Sequence, residues 1–285
     1  MEYFTLNTQS KIPAAGIGTF LMQPDEAEAA CLTALHNGYR MIDTANAYMN
    51  ERAVGRAIQA SGVNRDEIFL ITKLWPSVYG HADTAIDETL ERLGTDYIDL
   101  LFLHQPAGDY LHAYQAMERA VQSGKVRCLG LSNFDEFNLS KLKALVASCE
   151  IKPAVVQVEA HPYYPHSALK TYLSSLGARI MAWYPLGHGD RSLLDEPIFA
   201  ELAAKYGKSP AQVILRWHTQ QGNIVIPGSK NPAHIRDNIH IFDFTLTQSE
   251  LEAIAGLNRN TRYYTSTPEM LENYANFRPD FNAQK

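Results

Sequence analysis

The chain has 285 residues, of which 46% are hydrophobic and 20% are charged, and its formal net charge is −6. That much apolar surface excludes a mainly disordered chain, and the acidic balance argues against general nucleic-acid binding through a basic face. No apolar run is long enough to cross a membrane, so we expect a folded protein that is not embedded in a bilayer.

The predicted elements alternate between short apolar strands and segments with helical spacing. Residues 3–13 are predicted to form a β-hairpin that closes one end of the fold. Apolar and β-branched residues, typical of parallel strands buried on both faces, then predict eight strands. These are 15–18, Tyr39–Asp43, Ile68–Lys73, Tyr97–Leu103, Arg127–Leu131, Ala154–Val158, Arg179–Trp183 and Ile224–Ile226. An extra helix is predicted over 248–257, and the polar stretch 258–285 is interpreted as a loop.

Helix-end signals lie in the segments between the strands. Gly94 follows an apolar stripe and is a predicted helix stop, and Ser209-Pro210 is a predicted helix start. Alternation of strand and helix predicts parallel strands with right-handed crossovers. Eight such units indicate an α/β fold consisting of one (β/α)8 (TIM) barrel domain over residues 1–285. An open doubly wound sheet is the alternative, but Leu21 stands where its G-x-G-x-x-G loop needs a glycine.

Reactive side chains stand at the C-terminal ends of three neighbouring strands. Asp43 ends the second strand and is followed by Tyr48, Lys73 ends the third, and His104 follows the fourth. Active sites of such barrels lie at this end of the strands, so closure would bring the four side chains to one mouth. Each alone has a plain interpretation as part of a buried ion pair or as a core histidine. Together they indicate a catalytic site.

These four side chains could polarise and protonate a carbonyl oxygen. A tyrosine has a pKa of about 10, which a lysine ammonium held beside it by an aspartate is expected to lower. A neutral His104 could donate a hydrogen bond that orients the carbonyl. The set supplies no electrons, so a cofactor must deliver a hydride.

The later strand ends carry groups suited to binding. Ser132, Asn133 and Gln157 could hydrogen-bond an amide, and Trp183 offers a flat surface for a ring. The last strand runs into a loop and a helix, where phosphate sites are common in this architecture. The polar residues there are Ser229, Lys230, His234, Arg236 and Asn238.

The cysteines and the first residues indicate the compartment. The three cysteines are odd in number and share no metal-ligand spacing, so neither a disulfide framework nor a metal site is expected; they are Cys31, Cys128 and Cys149. The first ten residues lack the basic and apolar regions of a secretory signal. A cytoplasmic protein is therefore predicted.

Seven stretches together resemble the aldo-keto reductase family. They are DTANAYMNE (43–51), ITKLW (71–75), LLFLHQP (100–106), GLSNF (130–134), VVQVEAHPY (155–163), AWYPLG (182–187) and IPGSKNPAHIRDN (226–238). The resemblance implies a (β/α)8 barrel that reduces aldehydes or ketones with NADPH and has no Rossmann motif. Within the family the chain looks similar to prokaryotic diketogluconate and methylglyoxal reductase types.

The resemblance also implies residue roles. Asp43, Tyr48, Lys73 and His104 match the catalytic residues, with Tyr48 as general acid, and Trp75 and His104 would contact the substrate. The implied cofactor-binding residues are Gly18, Thr19, Ser132, Asn133, Gln157, Trp183, Pro185, Leu186, Ser229, Lys230, His234 and Asn238. Tyr263, Tyr264 and Tyr274 could cover the active site or be surface aromatics.

The sequence departs from the family's pattern in the phosphate loop. Gly228 and His234 stand where the family commonly has cations that meet the 2′-phosphate of the cofactor. Lys230 and Arg236 could compensate, because a phosphate needs nearby positive charge rather than one fixed residue. NADPH is therefore expected ahead of NADH.

The predicted function is reduction of small dicarbonyl, sugar-derived or aromatic carbonyl compounds by a monomeric enzyme. One alternative is a Schiff-base aldolase using Lys73, although pairing with Asp43 keeps a lysine protonated and non-nucleophilic. Another is a non-catalytic sensor that binds NAD(P)H.

Overall fold

The strands form where the sequence has its short apolar runs. The computed structural model describes residues 1–285, beginning with an antiparallel hairpin of β1 (Tyr3–Thr5) and β2 (Lys11–Pro13). Eight parallel strands follow in chain order around one sheet. They are β3 (Ile17–Gly18), β4 (Met41–Asp43), β5 (Phe69–Leu74), β6 (Ile98–Leu103), β7 (Val126–Ser132), β8 (Val155–Glu159), β9 (Arg179–Trp183) and β10 (Ile224–Val225). All eight predicted strands are present, with some ends shifted by one or two residues.

Backbone hydrogen bonds close this sheet into a barrel. The N–H of Gly16 donates to the carbonyl of Val225 over 2.9 Å, and the N–H of Val225 donates to the carbonyl of Ala14 over 3.0 Å. These bonds join the start of the first barrel strand to the last strand, which removes the two open edges of the sheet. The predicted (β/α)8 fold with an N-terminal hairpin is confirmed.

Helices surround the sheet and begin and end at recognisable signals. They are α1 (Pro24–His36), α2 (Glu51–Ala60), α3 (Ala82–Leu93), α4 (Tyr110–Gln122), α5 (Leu139–Ser148), α6 (Ser167–Ser175), α7 (Arg191–Leu194), α8 (Pro197–Tyr206), α9 (Pro210–Gln220), α10 (Pro232–Ile239), α11 (Gln248–Ala255) and α12 (Pro268–Asn276). Gly94 ends α3 at a φ of 63°, a left-handed conformation that glycine adopts readily. The Ser209 side chain accepts a hydrogen bond from the N–H of Gln212 at the start of α9. No helix combines the length and the apolar character that crossing a bilayer requires.

The hairpin plugs the N-terminal end of the barrel, as predicted. Leu6 and Ile12 lie in one buried cluster with inward-facing residues of the strands, including Ile71, Leu100 and Phe102. The outward faces of the strands pack against the helices in a second, larger cluster. Apolar side chains therefore fill the N-terminal end of the barrel. The open end lies at the C-terminal ends of the strands.

The interpretation of 258–285 as a loop is wrong for twelve of its residues, nine in an α-helix and three in the 3-10 turn Phe281–Ala283. Pro268–Asn276 form α12, whose Thr267 side chain accepts a hydrogen bond from the N–H of Met270 over 3.1 Å. Thr267-Pro268 is the same type of start signal as Ser209-Pro210. None of its residues is fully buried, but Met270, Leu271, Tyr274 and Ala275 are half-buried on one face, so helical spacing was present in this stretch as well.

A buried ion pair between Glu51 of α2 and Arg92 of α3 joins these two helices to the C-terminal segment. The Arg92 Nε donates to Glu51 Oε2 over 2.7 Å, and neither side chain is more than 1% exposed. Arg92 also donates to the Asn282 side chain over 2.7 Å, and Glu51 accepts from the Thr72 hydroxyl over 2.6 Å. Charges this deeply buried are tolerated only when they are paired and hydrogen-bonded.

We expect Arg92→Met to lower the free energy of unfolding by about 3–5 kcal/mol, because it leaves the Glu51 carboxylate buried without its partner. Equilibrium urea denaturation followed by tryptophan fluorescence measures this difference. Arg119→Met is the matched control, since Arg119 pairs with Asp83 at 2.6 Å but both side chains are at least half exposed. That variant should lose about 1 kcal/mol or less. Equal losses in the two variants would contradict the prediction.

Candidate active site

A cleft of about 770 Å³ opens at the C-terminal ends of the barrel strands. Asp43 at the end of β4, Ser132 at the end of β7, Gln157 within β8 and Trp183 at the end of β9 all line it. The parallel register brings these residues together from positions far apart in the sequence. The volume falls in the range of small-molecule and cofactor sites.

A lysine–aspartate pair lies at the base of this cleft. The Lys73 Nζ is 2.5 Å from Asp43 Oδ1 and also donates to the carbonyl of Thr44 over 2.9 Å. The other carboxylate oxygen of Asp43 accepts from Gln157 Nε2 over 2.8 Å. Burial pushes the pKa of Asp43 up and the pKa of Lys73 down, while their mutual attraction opposes both shifts. Lys73 is fully buried and does not line the cleft.

Tyr48 lies beside this pair on a single 3-10 turn, Asn46–Tyr48, that follows β4. The turn is anchored because the N–H of Trp75 donates to the Asn46 side chain over 3.1 Å. The Lys73 ammonium is 4.9 Å from the centre of the Tyr48 ring, and the His104 ring is 5.5 Å from it in an edge-on orientation. The structure therefore brings together the four residues that the sequence singled out.

The pKa of Tyr48 is raised, not lowered as the sequence predicted, because the ammonium of Lys73 does not outweigh burial. Burial, reinforced by the Asp43 carboxylate, raises the pKa of Tyr48 well above its ordinary value. A phenolate in this position would sit near a carboxylate with little water to solvate it, which disfavours the charged form. The phenol is therefore protonated throughout the neutral range, which is the state that a proton donor requires.

His104 follows β6, where its N–H donates to the carbonyl of Leu74 over 3.0 Å. Its Nδ1 is buried without a hydrogen-bond partner. Burial, followed by the charge of Lys73, holds the pKa of His104 well below its ordinary value. The imidazole is therefore neutral near pH 7, with one N–H available as a donor.

Two amide side chains and one hydroxyl form a polar wall next to these residues. The Asn133 Nδ2 donates to the carbonyl of His104 over 3.0 Å and to the Ser132 hydroxyl over 3.2 Å. Trp183 lies close by, with Tyr184 and Tyr264 packed edge-on against it at 4.7 and 5.6 Å between ring centres. These groups could hold a carboxamide on a flat ring.

Most of the residues implied as cofactor-binding line the cleft. Those that do are Gly18, Ser132, Asn133, Gln157, Trp183, Pro185, Leu186, Ser229 and Lys230. Thr19 is buried instead, where its hydroxyl donates to the carbonyl of Asp43 over 3.1 Å. His234, which is exposed, and Asn238, which is buried, lie on α10 and do not line the cleft. Trp75, implied as a substrate contact, does line it.

Several wall residues were missed by sequence reasoning. Phe20 lines the cleft and packs on Tyr48 with ring centres 5.1 Å apart, and Phe277 packs against Trp75 at 6.2 Å. Of the three tyrosines considered as a cover, Tyr264 and Tyr274 line the cleft. Phe20 follows the C-terminal end of the first predicted strand, which is where the site was expected, so its position was a usable signal. The stretch around Phe277 gave none.

Four non-glycine residues of the cleft wall have left-handed backbone. The φ angles are 61° at Leu21, 65° at Asn133, 51° at Tyr184 and 54° at His188. Side chains other than glycine adopt this conformation rarely because the Cβ atom crowds the following carbonyl. Each of these residues lies in a loop at the mouth, where the backbone turns sharply to present its side chain to the cleft.

A buried carboxylate fastens the C-terminal segment across the mouth. Glu159 ends β8, and its side chain accepts hydrogen bonds from the backbone N–H groups of Tyr263 over 2.7 Å and Tyr264 over 2.9 Å. The Tyr263 hydroxyl also donates to Asp190 over 2.6 Å, and the Arg262 guanidinium lies 3.3 Å from Asp135. These contacts hold Tyr264 where it forms part of the cleft wall.

We expect Glu159→Ala to speed amide hydrogen exchange at Tyr263 and Tyr264 by about tenfold or more, because each N–H loses a charged acceptor. Exchange mass spectrometry on peptides covering residues 259–267 provides the measurement. Glu252→Ala is the control, because Glu252 is an exposed residue of α11 whose carboxylate accepts only from the Gln248 side chain. Unchanged exchange in the Glu159 variant would show that other contacts hold the segment.

The barrel and the polar residues at its mouth are the combination from which the sequence predicts a barrel oxidoreductase. Comparison with known proteins agrees: the model of the Aldo/keto reductase family matches residues 14–259. The chain belongs to this family, as its sequence motifs predicted.

Individual relatives cover nearly the whole chain. An aldo-keto reductase of Mycolicibacterium smegmatis is 43% identical over 263 residues, which span 90% of this chain and 94% of that protein. The 2,5-diketo-D-gluconic acid reductase B of a Corynebacterium species is 40% identical over 94% of this chain and 97% of its own length. A crystal structure of a Bombyx mori aldo-keto reductase in complex with NADP matches with a TM-score of 0.86 and 35% identity, covering 93% of this chain and 95% of that one.

Proposed function

We propose that this oxidoreductase reduces aldehydes and ketones to alcohols with NADPH, using Tyr48 as the general acid. The proposal rests on the arrangement and protonation of the side chains at the mouth of the barrel. A protonated Tyr48 and a neutral His104 face one cleft above a buried Lys73–Asp43 pair. Two further points stay predictions: the 285 residues form one domain, and the protein is a monomer.

The donor set of the cleft fits a nicotinamide dinucleotide. Ser132, Asn133 and Gln157 offer hydroxyl and amide groups for the carboxamide, and Trp183 offers a face for the ring. When bound, the nicotinamide supplies the hydride from its C4 atom to the carbonyl carbon. The similar Bombyx mori protein is in complex with NADP, which supports the same cofactor here.

The side chains then handle the carbonyl oxygen. His104 donates a hydrogen bond that orients the substrate and polarises its C=O bond. As the carbon is reduced, negative charge develops on the oxygen, and Tyr48 delivers its proton there. Lys73, held in place by Asp43, stabilises the phenolate that remains, because its ammonium lies 4.9 Å from the centre of the Tyr48 ring.

The walls of the cleft favour aromatic carbonyl substrates. Trp75 lies against Tyr274 with ring centres 5.0 Å apart and against His104 at the same distance. Planar apolar substrates gain most from such a wall, since aromatic pairs prefer offset or edge-on contacts. Small dicarbonyl and sugar-derived compounds are proposed as further substrates, because a similar protein is a 2,5-diketo-D-gluconic acid reductase.

A Schiff-base aldolase fits the geometry poorly. Lys73 lies beneath the cleft wall, fully buried, with two of its three N–H donors used by Asp43 and Thr44. A lysine nucleophile must reach the substrate carbonyl as a neutral amine.

Tyr48→Phe should lower kcat for reduction by at least about a hundredfold while changing the Kd for NADPH little, because it removes a transferable proton and keeps the ring. Stopped-flow turnover and fluorescence titration give the two quantities. Phe20→Leu is the control, since Phe20 packs on the same tyrosine without a transferable proton. Loss of NADPH binding in Tyr48→Phe would mean that Tyr48 has a structural role instead.

The pH dependence follows from the directions of the two pKa shifts. His104 gains charge only below a pKa that lies well under its ordinary value, and Tyr48 loses its proton only above a raised pKa. Both groups therefore keep their reactive protonation states from about pH 6 to pH 9. We expect kcat/KM for an aromatic aldehyde, measured at saturating cofactor, to stay flat across this range. A decrease centred near pH 6.5 would indicate an ordinary, solvated histidine.

Oxidation of NADPH and of NADH by the purified protein tests the overall reaction. Methylglyoxal, an aromatic aldehyde and a keto-sugar sample the three proposed substrate classes. Turnover with at least one substrate is expected. Tight binding of the cofactor without turnover of any substrate would instead favour a non-catalytic sensor that binds NAD(P)H.

A further inference from the structure

The cleft has one cationic side chain on its wall, and that cation is already paired. Among the residues that line the cleft, Lys230 is the single lysine or arginine. It lies in the loop between β10 and α10, with its Nζ 2.6 Å from the Glu26 carboxylate of α1. The two side chains are 52% and 38% exposed, so the pair lies at the solvent-exposed rim of the cleft.

This pair bears on the difference between NADPH and NADH. The two cofactors differ by a 2′-phosphate that adds about 1.5–2 negative charges near neutral pH. A phosphate in a protein site is held by nearby cations. Arg236 is no substitute for Lys230, because it does not line the cleft and its guanidinium lies beside Asp237 at 3.6 Å.

We infer that Glu26 weakens the preference for NADPH over NADH by competing with the 2′-phosphate for Lys230. The inference rests on the proposed use of a nicotinamide dinucleotide. While Lys230 is held by Glu26, its charge is largely cancelled for an incoming phosphate, and the carboxylate itself repels that phosphate. NADH has a neutral 2′-hydroxyl and encounters neither effect. Glu26 is therefore a positioning residue that narrows the advantage of NADPH.

The competition is weak enough to be broken by the ligand. Ion pairs between exposed side chains stabilise a structure only slightly, because water and salt screen them. A phosphate can therefore draw Lys230 away from Glu26 at a small loss of affinity. We expect removal of the Glu26 charge to raise the affinity of NADPH relative to NADH by about two- to fivefold.

Glu26→Gln is the test variant because it removes the charge and keeps the start of α1. Glu26 accepts a hydrogen bond from the N–H of Gln23 over 2.8 Å, and glutamine can accept the same bond at this helix position. Glu28→Gln is the matched control, since Glu28 lies on the same helix but pairs with Arg56 at 2.7 Å, away from the cleft. That variant should leave the ratio of the two affinities unchanged.

The experiment measures the Kd of NADPH and of NADH for the full chain by quenching of tryptophan fluorescence. It uses the wild type, Glu26→Gln, Lys230→Gln and the double variant. The NADPH preference should rise in Glu26→Gln and fall in Lys230→Gln. In the Lys230→Gln background, Glu26→Gln should produce less than half of its effect, because the cation for which it competes is gone. Adenosine 2′,5′-bisphosphate and adenosine 5′-monophosphate, which differ by the 2′-phosphate alone, should reproduce these trends without a nicotinamide.

Two results would overturn the inference while leaving the proposed function intact. One is an unchanged ratio in Glu26→Gln, and the other is an equal rise with and without Lys230. If the wild type binds neither NADPH nor NADH, the proposed function and this inference both fail.

Discussion

The Lys73–Asp43 ion pair is the interaction on which the site depends, and it in turn depends on the closed barrel. Two charges removed from water are stable only while each finds its partner and further hydrogen bonds. Those further bonds come from Thr44, next to Asp43, and from Gln157, which approaches from the opposite side of the barrel. The pair therefore needs a closed sheet, and the bonds between Gly16, Ala14 and Val225 provide the closure.

The same low-polarity surroundings fix the protonation states around the pair. His104 stays neutral and Tyr48 stays protonated because burial disfavours their charged forms, and the charges of Lys73 and Asp43 respectively add to these effects. Neither state requires a hydrogen-bond partner that a substrate would have to displace. In the proposed reaction, a carbonyl group would therefore meet side chains that already have the required protonation states, as in other preorganised sites.

The barrel and the residues at its strand ends could be predicted because parallel buried strands are short apolar runs with abrupt polar ends. The C-terminal part of the cleft wall could not be predicted in this way. Tyr264 is placed by Glu159 through backbone N–H groups, which every residue but proline has, so no side-chain pattern marks the contact. Thr267-Pro268 marks the start of a nine-residue helix whose apolar face is only half-buried, so its pattern is weaker than that of the helices around the barrel. The pairing of Lys230 with Glu26 joins residues on different helix–strand units, and nothing local to either position indicates it.

The left-handed backbone at the cleft has a consequence for how this protein could change over evolutionary time. A non-glycine residue in that conformation carries strain of about 1 kcal/mol or more, and Leu21, Tyr184 and His188 each carry it at the mouth. Replacing them with glycine would relieve strain but remove side chains that shape the cleft. Selection for thermal robustness and selection for recognition therefore oppose each other at these positions. Lineages that adapt to heat would be expected to gain stability elsewhere in the barrel and leave its mouth strained.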